Sequence, residues 1–127
     1  MTTSGKSPFR TILALDTTRR DQTFVGVITE KETIIKERGV KAQEVDKLIA
    51  EALSAAEISL GDIKVVAVNN KAGSLTGVRI GVTVANTLAW DKRLPIIEFE
   101  GEDFQECLKN LRNWSEDKYV KIAAVTS

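Results

Sequence analysis

IKVVAVNNKAGSLTGVRIGVTVANTLAWDKRLPIIEF, residues 63–99, is the stretch whose reading decides the fold. Ile63–Val68 is apolar enough for an interior strand covered on both faces. Gly73–Trp90 reads as a helix, and Pro95–Phe99 as another strand. Strand, helix and strand in that order imply a parallel pair joined by a right-handed crossover. Upstream, Arg10–Leu15 reads as a buried strand that ends where the side chains turn polar at Asp16-Thr17-Thr18. Thr23–Thr29 is rich in β-branched residues, and Thr33–Lys36 resumes the pattern after the charged Glu30-Lys31-Glu32, so the two predict a hairpin. Between hairpin and interior strand, Val45, Leu48, Ile49, Ala52, Leu53 and Ala56 recur at three- and four-residue spacing, predicting an amphipathic helix over Gln43–Glu57. The string β-β-β-α-β-α-β predicts an α/β domain on a mixed five-stranded sheet, followed by a short helix (Asp103–Leu111) and a last strand (Tyr119–Val125). Residues 10–127 are expected to form one domain behind a flexible tail, residues 1–9; no repeat or low-complexity tract marks a second.

The 127 residues contain 43% hydrophobic and 28% charged residues, ordinary proportions for a folded globular chain. Eighteen basic residues balance eighteen acidic ones, so the net charge offers no footprint for gripping nucleic acid alone, and any RNA contact is expected to be shared. Cys107 has no second cysteine to bridge and no histidine to activate it, which reads as a half-buried core residue in a reducing compartment. The apolar run after Met1–Arg10 is too short for a signal-peptide core, and no later run reaches the roughly 18 residues of a membrane span. The expected location is the cytoplasm, away from membranes.

Asn69–Gly77 joins an interior strand to a helix, the carboxyl-end position where α/β folds bind ligands. Its glycine spacing matches neither G-x-x-x-x-G-K-[ST] nor G-x-G-x-x-G, and Lys71 precedes the glycines where a phosphate-loop lysine would follow them. A tight turn with Ser74 or Thr76 capping the helix accounts for it. GSLTG is also not G-x-S-x-G, so Ser74 is not read as a nucleophile. The helix itself is more informative. Gly73, Gly77, Gly81, Ala85 and Ala89 recur at every fourth position and form a ridge of minimal side chains that another backbone can approach closely. Glycine within a helix costs about 0.5 to 1 kcal/mol relative to alanine, so Gly77 and Gly81 ask for a compensating contact. Val78, Ile80, Val82, Val84 and Leu88 flank the ridge, and Arg79 is the only formal charge between Thr76 and Trp90. One apolar side can pack on the sheet; the other marks an expected interface, with Arg79 as a specificity contact.

Three stretches carry a family resemblance: ILALDTT at 12–18, SLGDIKVVAV at 59–68 and GSLTGVRIGVTVANTLA at 73–89. Together they resemble the TsaB family, also called YeaZ, over roughly residues 10–100. The resemblance implies a single actin-like, ribonuclease-H-like (ASKHA) lobe. It also implies a noncatalytic partner of a TsaD-type enzyme in forming threonylcarbamoyladenosine at position 37 of tRNA. In that family the two helices of this lobe make the pairing surface, which here implies Leu48 and Ala52 from the first helix. From the second it implies Gly77, Arg79, Ile80, Gly81, Val84, Ala85 and Leu88. Family members carry a second lobe, for which only Tyr119–Val125 stands here, and a nucleotide cleft needs both lobes. Asp16 with Thr17 holds the place where active kin bind phosphate or metal and is read here as turn chemistry. Asn69–Gly73 replaces the family's glycine-proline-glycine loop, and the histidine pair of TsaD-type enzymes is missing from a chain without histidine. No catalytic, cofactor or metal residue is therefore expected in this chain, with ATP and metal on the TsaD-type partner and tRNA reached through the complex. The competing readings are a homodimer that assembles a composite ATP-binding cleft around Asp16, and a homodimer through the same helices with no such partner.

Overall fold

The computed structural model describes residues 9–19, 22–39, 45–70 and 75–116. The expected strand Tyr119–Val125 and the loop Lys71–Ser74 lie outside them. Strand β1 (Ile12–Asp16) is buried at all five positions, as is β4 (Val65–Asn69). Both are central strands of a sheet that also holds β2 (Thr23–Ile28), β3 (Thr33–Arg38) and β5 (Ile96–Phe99). The order is β3-β2-β1-β4-β5. β1 pairs antiparallel with β2 (Ala14 opposite Gly26) and β2 with β3, while β4 runs parallel to both β1 (Ala14 opposite Ala67) and β5. This is the mixed five-stranded α/β sheet that the strand-helix-strand pattern implies.

Alternation along the central strands sorts the core into two halves. Leu13, Leu15, Val66 and Val68 face helices α1 (Val45–Ala56) and α2 (Leu75–Lys92), in a cluster that includes Leu48, Ile49, Ala52, Ala85 and Ala89. Ile12, Ala14, Val65 and Ala67 face α3 (Phe104–Glu116), through Phe104, Leu108 and Leu111. The third helix is therefore longer than the expected Asp103–Leu111, and it lies across the sheet from α2 and does not cover it. Its approach explains the glycine in the middle of β2. A Cβ on Gly26 would stand 2.7 Å from Leu108 Cδ1 and 3.3 Å from Phe104 Cε2, so a side chain here would have to push the tips of those α3 residues aside. Phe9, expected in the tail, is half-buried against the same half of the core and lies 5.3 Å below the Arg112 guanidinium.

The helices on the first face end alike. Glu57 and Arg93 take φ of 58° and 57°, and the next residues close the last turn through Ile58 N–H to Leu53 O (3.1 Å) and Leu94 N–H to Ala89 O (2.9 Å). These are six-to-one closures of the kind that usually places glycine at the left-handed position. Here Ile58 and Leu94 bury against the core just beyond the turn, which offsets the conformational cost at Glu57 and Arg93.

Candidate functional site

Two places compete for function. One is the carboxyl end of the central strands, where β1 ends on Asp16 and β4 on Asn69. Both are wholly buried. The Asp16 Oδ1 accepts from the backbone N–H of Thr18 at 3.0 Å and from the Thr18 hydroxyl at 2.7 Å, and its Oδ2 accepts from Asn69 Nδ2 at 2.9 Å. The same Asn69 amide donates to the carbonyl of Gly101 at 3.0 Å. A buried carboxylate is tolerated when hydrogen bonds replace its water. Here three donors do so, tying the end of β1 to β4 and to the loop before α3. The arrangement closes the turn after β1 and extends it into a tertiary clasp. Cys107 sits beneath it. Burial pushes its thiol pKa up, and the Asp16, Asp103 and Glu106 carboxylates push the same way against a backbone hydrogen bond, so the protonated, unreactive form is favoured. Among the described residues no three metal-ligating side chains converge.

The other place is α2. Gly81, Ala85 and Ala89 are buried, and a Cβ on Gly81 would collide with Thr17 Oγ1 and touch Val68 Cγ2 at 3.4 Å. At Gly81 the ridge thus rests on side chains of the chain's own sheet, Thr17 at the end of β1 and Val68 in β4. Gly81 and Ala85, expected at a partner surface, are packed within the chain's own core, which supplies the close contact that a glycine inside a helix requires. Leu48 (1% exposed) and Ala52 (0%) of α1 are likewise spent on the core. Val84 and Leu88 lie half-buried along one flank of α2, against the edge of that core. From Gly81 onward the outward stripe holds Thr83, Thr87 and Trp90. Gly77, Arg79 and Ile80 belong to the start of α2, where the side chains lie outside the described residues.

Comparison with known proteins bears on both places. The chain is 37% identical over 94 residues to the tRNA threonylcarbamoyladenosine biosynthesis protein TsaB of Bacillus subtilis (strain 168), covering 68% of this chain and 39% of that one. The structure of YeaZ from Pseudomonas aeruginosa superimposes with a TM-score of 0.67 at 26% identity, over 72% of this chain and 44% of that one. The chain is TsaB/YeaZ-like. A second structure, titled an uncharacterized protein with similarity to peptidase YeaZ from Pseudomonas aeruginosa, gives 0.68 at 26% identity, over 72% of this chain and 43% of that one. The family model for TsaD, tRNA N6-adenosine threonylcarbamoyltransferase, also matches, over residues 39–100. The TsaB-like chain thus spans about two fifths of the length of these relatives.

Within the TsaB-like lobe, two of the resembling stretches turn out to be structural fasteners. In SLGD the Ser59 N–H and hydroxyl both donate to the Asp62 carboxylate, at 2.9 and 3.2 Å, closing the turn that feeds β4. In LDTT the aspartate is held by Thr18 and Asn69 as above. Sequence reasoning did not connect Asp16 with Asn69, 53 positions apart, although a polar residue ending each of two interior strands was a visible signal. Among the described residues no helix is long and apolar enough to cross a membrane.

Proposed function

We propose that this chain acts as a noncatalytic subunit that pairs with a TsaD-type enzyme in forming threonylcarbamoyladenosine on tRNA. The docking element in this reading is the Val84–Leu88 flank of α2 with the start of that helix, including Arg79 and Ile80. The observation that carries it is the similarity to TsaB, joined to a helix on the side of the sheet that α3 leaves uncovered. Leu48, Ala52, Gly81 and Ala85 then contribute by seating the helices and make no contact across the interface.

Gel filtration of the chain mixed with a TsaD-type protein tests the pairing; separate elution at micromolar concentration would end the proposal. Val84→Glu is expected to weaken the complex at least about thirtyfold, roughly 2 kcal/mol, because it sets a charge where apolar surface is being desolvated. Thr87→Arg, at an exposed position beside it, obstructs the face without entering the core and separates loss of docking from loss of fold. A second reading is ATP binding around Asp16 in a cleft made by two copies; the TsaD-model match, over residues 39–100, does not include Asp16. The Asp16 oxygens already accept three hydrogen bonds, which speaks against it. Calorimetric titration with ATP and magnesium is expected to give no heat, and saturable heat lost in Asp16→Asn would favour the cleft.

A further inference from the structure

Trp90 is the one large hydrophobic side chain left exposed among the described residues, at 88%. It borders a shallow depression at the end of α2 with Ala89, Asp91 and Arg93, so an exposed indole and an exposed arginine share one rim. Trp and Arg are the residue types most enriched among those that dominate binding energy at protein interfaces. On the other face of the sheet, between the β2–β3 edge and the start of α3, is a hollow of about 720 Å³. Phe24, Ile35 and Phe104 line it, with the two rings 5.4 Å apart, and Glu37, Glu102 and Asp103 add carboxylates. Arg19 also borders it, its guanidinium 5.7 Å above the Phe24 ring and its Nη2 donating to the Glu102 carbonyl.

We infer that the hollow of one copy receives Trp90 and Arg93 of a second copy. The chemistry is complementary on both counts. An indole is matched by an aromatic floor and a cation that can face its ring. The Arg93 charge is matched by the Glu37 and Asp103 carboxylates of the rim, while Asp91, beside Arg93, lies 3.8 Å from the Lys92 ammonium. The two surfaces cannot meet within one molecule. Ala89, beside Trp90, belongs to the core beneath α1 and α2, whereas Phe24, Ile35 and Phe104 belong to the core beneath α3. The contact is therefore head-to-tail, and each added copy presents a fresh hollow and a fresh Trp90, so assembly does not stop at a pair. This inference does not rest on pairing with a TsaD-type enzyme. Trp90 borders a depression with Thr87 and Leu88, so the two surfaces adjoin, but self-association is read without any TsaD-type protein present.

Sedimentation velocity of the 127-residue chain from low micromolar to near-millimolar concentration tests it. The average mass of the wild type is expected to climb past that of a pair. Trp90→Ala and Glu37→Lys each weaken association at least tenfold, so each alone stays monomeric at concentrations where the wild type grows. Mixed in equal amounts they form a pair and stop, because the first still offers the hollow and the second still offers the indole. The charge swap Arg93→Glu with Glu37→Arg in one chain restores growth. A wild type that stays monomeric throughout, a dimer that Trp90→Ala leaves intact, or two variants with wild-type circular dichroism that fail to pair would each overturn the inference. None of these outcomes bears on the Val84→Glu experiment, so the two fail separately.

Discussion

Gly81→Leu is expected to destabilise the lobe by about 3 kcal/mol, at the upper end of what inserting a side chain into a packed core costs. α2 lies on the sheet through the bare backbone at this point, and even a methyl group would meet Thr17 Oγ1 and Val68 Cγ2. Val68 is fully buried in β4 and Thr17 is fully buried at the end of β1, so neither has room to retreat. Relief can come only by lifting α2, which opens the core around Ala85. Gly81→Ala makes the sharper comparison. Alanine gains about 1 kcal/mol in helix propensity over glycine, so any net loss measures the collision. In a double-mutant cycle with Thr17→Ala, the alanine at 81 is expected to become markedly less harmful, by about 1 kcal/mol or more. Urea unfolding followed by circular dichroism reads both. A Gly81→Leu protein with an unchanged midpoint would show that α2 is not seated as described.

Asn69→Leu is expected to cost about 3 kcal/mol, since it removes a hydrogen bond to a buried charged group and strands part of that charge. The lost donor served Asp16 Oδ2 and the Gly101 carbonyl together, so the loop before α3 loosens as well. Adding Asp16→Asn to the same protein is expected to recover about 1 kcal/mol, because an uncharged amide is cheaper to leave short of a partner. Should the second change destabilise further by its full single-variant cost, charge desolvation is not what Asn69 relieves. The pair also bears on nucleotide chemistry. If the clasp is structural, both variants change the unfolding midpoint and neither changes the response to ATP and magnesium.

The strand and helix pattern was open to sequence reading because burial leaves local traces. Five consecutive buried residues in β1 and again in β4 produce unbroken apolar runs, and α1 has the three-four spacing of a helix with one buried side. Element ends were less legible. α1 and α2 stop at Glu57 and Arg93, positions where a glycine would have announced the turn, and the burial of Ile58 and Leu94 that makes those ends stable is tertiary. The ridge of small residues in α2 was visible, but what packs against it was not. Periodicity records that one side of a helix is close-packed and carries no label for the surface that packs there. The same limit applied to Leu48 and Ala52, where an apolar stripe serves the core and an interface equally well on paper.

By itself the sequence determined an α/β lobe on a mixed sheet, the amphipathic first helix and the likeness to TsaB, all of which rest on order and spacing along the chain. Only the tertiary structure decided that Gly81 and Ala85 meet the chain's own sheet, that α3 covers the opposite face, and that Asp16 is clasped by Asn69. These are facts about which surfaces meet across long separations. Their energies come from close packing and from hydrogen bonds to a buried charge, and both depend on distances that no local pattern encodes.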